Sequence, residues 1–228
     1  MVALLFPGQG SQFVGMGRDL AERFPAAREV FEEADDVLGV SLSRLAWEGP
    51  EDELTSTHNA QPAILTHSIA AHRALGEAIG EVAYAAGHSL GEFSAYVAAG
   101  SLSFADAVRT VRRRGELMFR GGEERPGTMA AVLGLDDDAV DAVCREASTD
   151  TEVCVAANYN APGQIVISGD VPAVERAMEL AKEKGARRAL RLNVSGAFHS
   201  PLMRVAEEGL AVQLESTDLA APIYPVVS

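Results

Sequence analysis

Residues 81–100 read EVAYAAGHSLGEFSAYVAAG, and this stretch decides the fold because it joins an apolar strand, a tight turn and a helix. The turn at 87–91, GHSLG, matches G-x-S-x-G, a pattern that places a serine hydroxyl at the N-terminus of the following helix. Unbonded main-chain N–H groups and the helix dipole favour negative charge at that position. A glycine-rich connection with an incidental serine is the structural alternative. The strand–turn–helix context favours Ser89 as a nucleophile.

The composition is that of a globular protein without a nucleic-acid or membrane function. The 228 residues are 47% hydrophobic and 23% charged, which is enough for a sizeable core. The net charge of −14 argues against binding to nucleic acid or to an anionic membrane. No apolar run reaches the roughly 18 residues of a membrane span. Cys144 and Cys154 have neither metal nor C-x-x-C spacing, so we expect reduced thiols, no structural metal and a cytoplasmic protein.

The first half of the chain alternates strands with helices. Val2–Phe6 is a continuous apolar run, which predicts a strand buried on both faces. Helical patterning covers 16–38 and 61–79, with Pro62 in the first turn of the second helix, and 41–57 is predicted to be irregular. Together with the strand before Ser89, this order indicates an α/β domain with a parallel sheet.

A helix predicted over 103–120 carries an arginine beside its apolar stripe. Ser103 is its expected N-cap, and Arg114 borders the stripe whereas Arg113 points away from it. An arginine that enters a buried face needs an anion, because an unpaired buried charge is costly. Either a structural carboxylate or a substrate supplies that anion.

Residues 128–192 change to the order strand, helix, strand, strand, helix, strand, with a hairpin at 160–163. This βαββαβ order is typical of a ferredoxin-like unit. The fold class is therefore predicted as α/β, with a hydrolase-like domain over 1–125 and 194–228. A ferredoxin-like subdomain over 126–193 is inserted into it.

His199 follows Ser89 in the chain and is the candidate general base, since a serine hydroxyl is a poor nucleophile until a base removes its proton. Gln9, after the first strand, either faces a ligand site beyond the strand's carboxyl end or belongs to a mere turn. The same serine-before-histidine order occurs in α/β serine hydrolases, which need an acid between the two. Asp170 is the best candidate for that acid.

Several short motifs occur in order along the whole chain, and together they resemble the malonyl-CoA:acyl carrier protein transacylases, the acyltransferase family of fatty-acid and polyketide synthesis. The motifs are GQGSQ at 8–12, QPA at 61–63, GHSLGE at 87–92, Arg114 with Leu117-Met118, NAPGQ at 160–164 and GAFHS at 196–200. The inserted ferredoxin-like subdomain is also similar to that family's architecture.

The resemblance implies a role for each matching residue. Ser89 becomes the nucleophile and His199 its base, and the main-chain N–H groups of Gln9 and Leu90 form an oxyanion hole. Arg114 binds the free carboxylate of the malonyl group. The remaining substrate-binding residues implied are Met118, Gln61, Asn160 and Phe198.

The resemblance also implies the partners. No cofactor or metal is bound; malonyl-CoA enters as a substrate, and the acceptor thiol is the phosphopantetheine of acyl carrier protein. The basic stretches at 109–125 and 182–191 are either a docking surface for that acidic carrier or solvated helix faces. The family's domain continues past residue 228, so the chain is expected to lack its C-terminal part. A non-catalytic, carrier-binding fragment and a serine hydrolase are the alternatives.

Overall fold

The computed structural model describes residues 1–228, and the chain divides into two compact units. The first comprises residues 1–116 and 210–228, and the second comprises 117–209. None of the helices has the length and apolar character that a membrane span requires. The strands and helices, in chain order, are β1 (Val2–Phe6), α1 (Arg18–Arg23), α2 (Pro25–Leu38), α3 (Leu42–Glu48), α4 (Glu51–Thr55), α5 (Thr57–Leu75), β2 (Val82–Gly87), α6 (Gly91–Ala98), α7 (Phe104–Glu124), β3 (Gly127–Leu133), α8 (Asp137–Ala147), β4 (Cys154–Ala161), β5 (Gln164–Asp170), α9 (Val171–Glu183), β6 (Arg188–Arg191), α10 (Arg204–Glu215) and β7 (Val226–Val227).

The sheet of the first unit is parallel, as the sequence predicts. Strand β2 lies in the centre, between β1 and the short β7. The pairing of Phe6 with Gly87 makes β1 and β2 end at the same edge. In a parallel α/β sheet this carboxyl edge is where ligands bind. The loops that follow β1 and β2 therefore start side by side.

Helix α5 forms the centre of the first unit's helical core, and it begins and ends four residues earlier than predicted. It begins at Thr57 rather than Gln61, so Pro62 lies inside the helix instead of in its first turn. A proline inside a helix leaves the carbonyl four residues earlier without its N–H donor. Here Arg112 supplies a replacement, since its Nη1 donates to the His58 carbonyl oxygen at 3.2 Å.

The prediction that residues 41–57 are irregular is wrong, because α3 and α4 form there. Both helices are too short to show a clear hydrophobic period, and buried side chains anchor them instead. Leu42 and Leu54 are buried, and the ring of Trp47 packs against Phe31 with centroids 5.3 Å apart. Tertiary packing therefore decides the structure of this segment.

The second unit has the predicted ferredoxin-like βαββαβ order. Its antiparallel sheet has the strand order β4-β5-β3-β6, and α8 and α9 share one apolar core with it. Helix α8 is capped by Asp136, whose Oδ1 accepts from the Ala139 N–H at 2.8 Å. Cys144 and Cys154 are free, buried thiols with Sγ atoms 3.8 Å apart.

The compact units divide at 116/117 and 209/210, whereas the sequence places the subdomain at 126–193. The strands β3 to β6 all lie inside the predicted range. The difference arises because segments on either side pack onto this sheet. A Cβ on Gly127 would lie 2.6 Å from the Ala197 Cβ, so the chain at 196–200 is held tightly against β3. The boundaries of the inserted subdomain stay a prediction.

Candidate active site

The turn GHSLG at 87–91 requires glycine at both ends. A Cβ on Gly87 would overlap the main chain of Gly91, and a Cβ on Gly91 would overlap the carbonyl oxygen of Phe6 at the end of β1. The N–H of His88 donates to the same Phe6 oxygen at 3.0 Å. Strand, turn and helix therefore approach more closely than side chains allow, and this fixes Ser89 at the N-terminus of α6.

Replacing Gly91 with alanine is expected to lower the free energy of unfolding by about 2 kcal/mol or more, because main-chain atoms cannot move aside cheaply. Urea denaturation of the variant measures the effect. Gly121→Ala is the matched control, since its added methyl meets only the side chain of Met203, at 3.4 Å. That control should unfold at the same urea concentration or a higher one. Equal stability of the Gly91 variant and the wild type would contradict the close approach.

Ser89 and His199 share a rare backbone conformation. They are the two non-glycine residues with positive φ, at 53° for Ser89 and 57° for His199. Side chains disfavour this left-handed region, and such residues cluster at functional sites, where the surrounding structure holds the strain. The two residues singled out from the sequence as nucleophile and base are thus also the two with this backbone signature.

Arg114 and Gln61 lie beside Ser89 in the first unit. The Nη2 of Arg114 donates to the Ser89 Oγ at 2.9 Å, and its Nη1 donates to the Gln61 Oε1 at 2.7 Å. Gln61 is fully buried. The structure therefore brings together three of the predicted site residues, on α5, α7 and the turn before α6.

The guanidinium of Arg114 is desolvated and has no ion-pair partner. Burial lowers its pKa to about 10, and the charge of Glu92 acts in the opposite direction. None of the ion pairs in the structure involves Arg114. With a pKa of about 10 the group stays positively charged at neutral pH. A half-buried cation whose two hydrogen-bond acceptors are neutral suits the binding of an anion.

The two predicted oxyanion-hole residues also lie in the first unit. Leu90 directly precedes α6, and Gln9 follows β1. Neither main-chain N–H donates a hydrogen bond within the protein, although the neighbouring N–H groups of Gly91 and Gly10 both do. The Gln9 side chain is held in place, because its Nε2 donates to the Thr57 Oγ1 at 3.2 Å. Two unbonded N–H groups suit an oxyanion hole.

His199 lies in the second unit, in a turn that its neighbours brace. The Ser200 Oγ donates to the Ala197 carbonyl at 2.7 Å and accepts from the Leu202 N–H at 3.3 Å. Sequence reasoning did not assign a role to Ser200. Its signal is present, however, because a serine followed by Pro201 is typical of a helical N-cap. The pairing of His199 with Ser89 stays a prediction.

Three further predicted substrate-binding residues also belong to the second unit. Met118 and Phe198 are buried, whereas Asn160 is exposed at the end of β4, next to an irregularity in the pairing of β4 with β5. Their contacts with substrate stay predictions.

Asp170, the candidate acid of a hydrolase triad, is held by two partners in the second unit. Its carboxylate binds the guanidinium of Arg125, with the closest distance 3.1 Å, and accepts the Val153 N–H at 2.8 Å. This carboxylate thereby ties the start of α9 to the end of α7 and the start of β4. The role of Asp170 as the acid of a hydrolase triad stays a prediction.

The two basic stretches differ in how far carboxylates neutralise them. In 109–125, four of the arginines pair with acidic side chains, namely Arg109, Arg112, Arg113 and Arg125. In 182–191, Lys184 and Arg191 are paired, and Lys182, Arg187 and Arg188 are exposed without an ion pair. The second stretch therefore carries three exposed cations without an ion pair, against one, Arg120, in the first.

Comparisons with known proteins identify the family of the chain. The family model described as "Acyl transferase domain" matches residues 3–227. The malonyl CoA-acyl carrier protein transacylase of Bacillus subtilis is 52% identical over 227 residues, covering 100% of this chain and 72% of that protein. The protein of the same name from Escherichia coli K12 is 47% identical over 227 residues, covering 99% and 73%.

Solved structures show the same fold. A crystal structure of an acyl carrier protein S-malonyltransferase from Vibrio cholerae has a TM-score of 0.94 and 44% identity, covering 99% of this chain and 74% of that one. A complex of a type II PKS acyl-carrier protein with its malonyl-transacylase has a TM-score of 0.95 and 45% identity, covering 99% and 73%. The chain therefore belongs to the acyl transferase domain family, within the group of the malonyl-CoA:acyl carrier protein transacylases.

Proposed function

We propose that this chain transfers the malonyl group from malonyl-CoA to the phosphopantetheine thiol of acyl carrier protein, through a malonyl ester on Ser89. The observation that carries the proposal is the hydrogen bond to the Ser89 hydroxyl from Arg114, which is half-buried and has no ion pair. An acyl group attached to Ser89 and ending in a carboxylate supplies the anion that Arg114 lacks. The relatives named above are malonyl transacylases, which supports the choice of malonyl.

In the first half-reaction the Ser89 oxygen attacks the thioester carbonyl and its proton passes to His199. The N–H groups of Gln9 and Leu90 stabilise the oxyanion, which collapses as the carbon–sulfur bond breaks. The coenzyme A thiolate leaves with the proton from His199. In the second half-reaction the carrier's thiol gives its proton to His199, attacks the ester and releases Ser89 as a hydroxyl again. No metal or cofactor takes part in this scheme.

We propose that the carrier protein docks on the unpaired cations of 182–191 rather than on the largely neutralised stretch 109–125. Charge complementarity to an acidic partner raises the association rate, and unpaired exposed cations contribute most to it. We also infer a cytoplasmic location. The free thiols of Cys144 and Cys154 suit a reducing compartment.

Intact-mass measurement after brief incubation with malonyl-CoA tests the proposed function, with acetyl-CoA as the comparison. We expect a gain of one malonyl group on the peptide that holds Ser89, and its loss to the carrier when phosphopantetheinylated acyl carrier protein is added. Steady hydrolysis without transfer to the thiol would identify a hydrolase instead. Carrier binding by a folded chain that never forms an adduct would identify a non-catalytic binding module.

A further inference from the structure

Arg114 is held in place by an acceptor that carries no charge. Its Nη1 binds the amide oxygen of Gln61, a fully buried side chain on α5, and its Nη2 binds the hydroxyl of Ser89. Buried arginines usually satisfy their charge with a carboxylate, often in a bidentate pair. Gln61 gives the same directional hydrogen bond and leaves the positive charge of the guanidinium intact.

The neutral acceptor has a consequence for the substrate. A carboxylate at position 61 would form an internal ion pair with Arg114, and an arriving malonyl carboxylate would then have to displace or share it. An apolar side chain at the same place would leave the charge but remove the bond that aims Nη2 at Ser89. Glutamine meets both needs, because it positions the guanidinium and does not neutralise it.

We propose that Gln61 is a positioning residue that determines acyl specificity through Arg114. Its uncharged amide oxygen holds the guanidinium next to Ser89 and reserves the positive charge for an acyl group that brings its own carboxylate. This proposal rests on the proposed function and refines the role predicted from the sequence, in which Gln61 touches the substrate. Selectivity for carboxyacyl over neutral acyl groups then depends on the charge at position 61.

The test compares acylation of Ser89 by malonyl-CoA and by acetyl-CoA in three proteins: the wild type, Gln61→Glu and Gln61→Met. Both rates are measured on one preparation, so their ratio does not depend on the folded fraction. We expect Gln61→Glu to lower the malonyl-to-acetyl ratio by about tenfold or more, because an internal ion pair competes with the substrate carboxylate. Gln61→Met keeps the charge on Arg114 and should lower the ratio less.

A double variant shows whether Gln61 changes the malonyl-to-acetyl ratio through Arg114 or by direct contact with the substrate. If Gln61 acts through Arg114, adding Gln61→Glu to Arg114→Ala should lower the ratio no further than Arg114→Ala alone. Gln213→Glu makes the same chemical change on α10 and should leave the ratio at its wild-type value.

The outcomes distinguish this proposal from the proposed function. A wild-type chain that forms no malonyl adduct contradicts the proposed function itself. A wild-type chain that forms the adduct while Gln61→Glu keeps the wild-type ratio contradicts only the role of Gln61. An equal fall in Gln61→Glu and Gln61→Met would show that shape rather than charge matters, and a further fall in the double variant would show direct contact with substrate. Either result overturns the proposal.

Discussion

Replacing Ser89 with alanine is expected to abolish the malonyl adduct and to lower the rate of malonyl transfer by at least about 10³-fold, as loss of a nucleophile does in other acyl-transfer enzymes. The physical reason is that the Ser89 Oγ is the atom that receives the acyl group. The turn that carries it, with φ at 53°, offers no second hydroxyl in the same place. Intact mass after incubation with malonyl-CoA measures the adduct, and transfer to carrier protein measures the rate.

Ser216→Ala is the control for this experiment. Ser216 follows α10, and its Oγ donates only to the Gln213 carbonyl at 2.9 Å. This variant should form the adduct at the wild-type rate. An adduct that persists in Ser89→Ala would mean that another residue accepts the malonyl group, and the assignment of the nucleophile would then be wrong.

The fold of the second unit could be predicted nearly to its element boundaries. Short apolar runs indicated the strands, and local signals lie at the ends of elements, such as Asp136 at the N-cap of α8 and Pro162-Gly163 between β4 and β5. These signals are local in sequence. Each is decided by a few neighbouring residues and does not depend on distant packing.

The first unit was less predictable because distant contacts shape it. Helices α3 and α4 exist because Leu42, Leu54 and Trp47 find partners elsewhere in the core. The early start of α5 depends on Arg112, which is 54 residues away from the carbonyl that it satisfies. Periodicity over a short window contains no information about such contacts.

The candidate site, too, could be predicted from the sequence only in part, because it depends on contacts between residues distant in the chain. The sequence marks Ser89, His199 and Arg114 through motif and stripe position, and it predicts that Arg114 needs an anion. It leaves open whether a carboxylate of the protein supplies that anion. That question depends on which side chain of α5 meets the guanidinium across a separation of 53 residues. The structure places Gln61 there, a neutral acceptor that leaves the charge of Arg114 available for the proposed substrate carboxylate.

Replacing Arg114 with alanine is expected to lower the malonyl transfer rate by about 100-fold and the acetyl transfer rate much less. A charge-assisted hydrogen bond to a desolvated carboxylate is lost for malonyl, and no such bond exists for acetyl. The variant also removes the hydrogen bond to the Ser89 Oγ, which is common to both substrates. Any loss from misplacement of Ser89 therefore appears in both rates, and the ratio isolates the contribution of the carboxylate.

Arg113→Ala is the matched control, because the neighbouring arginine lies on the outer side of α7. It pairs with Glu116 at 3.6 Å, and its side chain is 41% exposed. Exposed ion pairs of this kind contribute about 0–1 kcal/mol, so this variant should keep both rates and their ratio. Equal losses of malonyl and acetyl transfer in Arg114→Ala would mean that the guanidinium only supports the turn at Ser89. The malonyl carboxylate would then have to be recognised by a different group, and the charge of Arg114 would have no part in substrate selection.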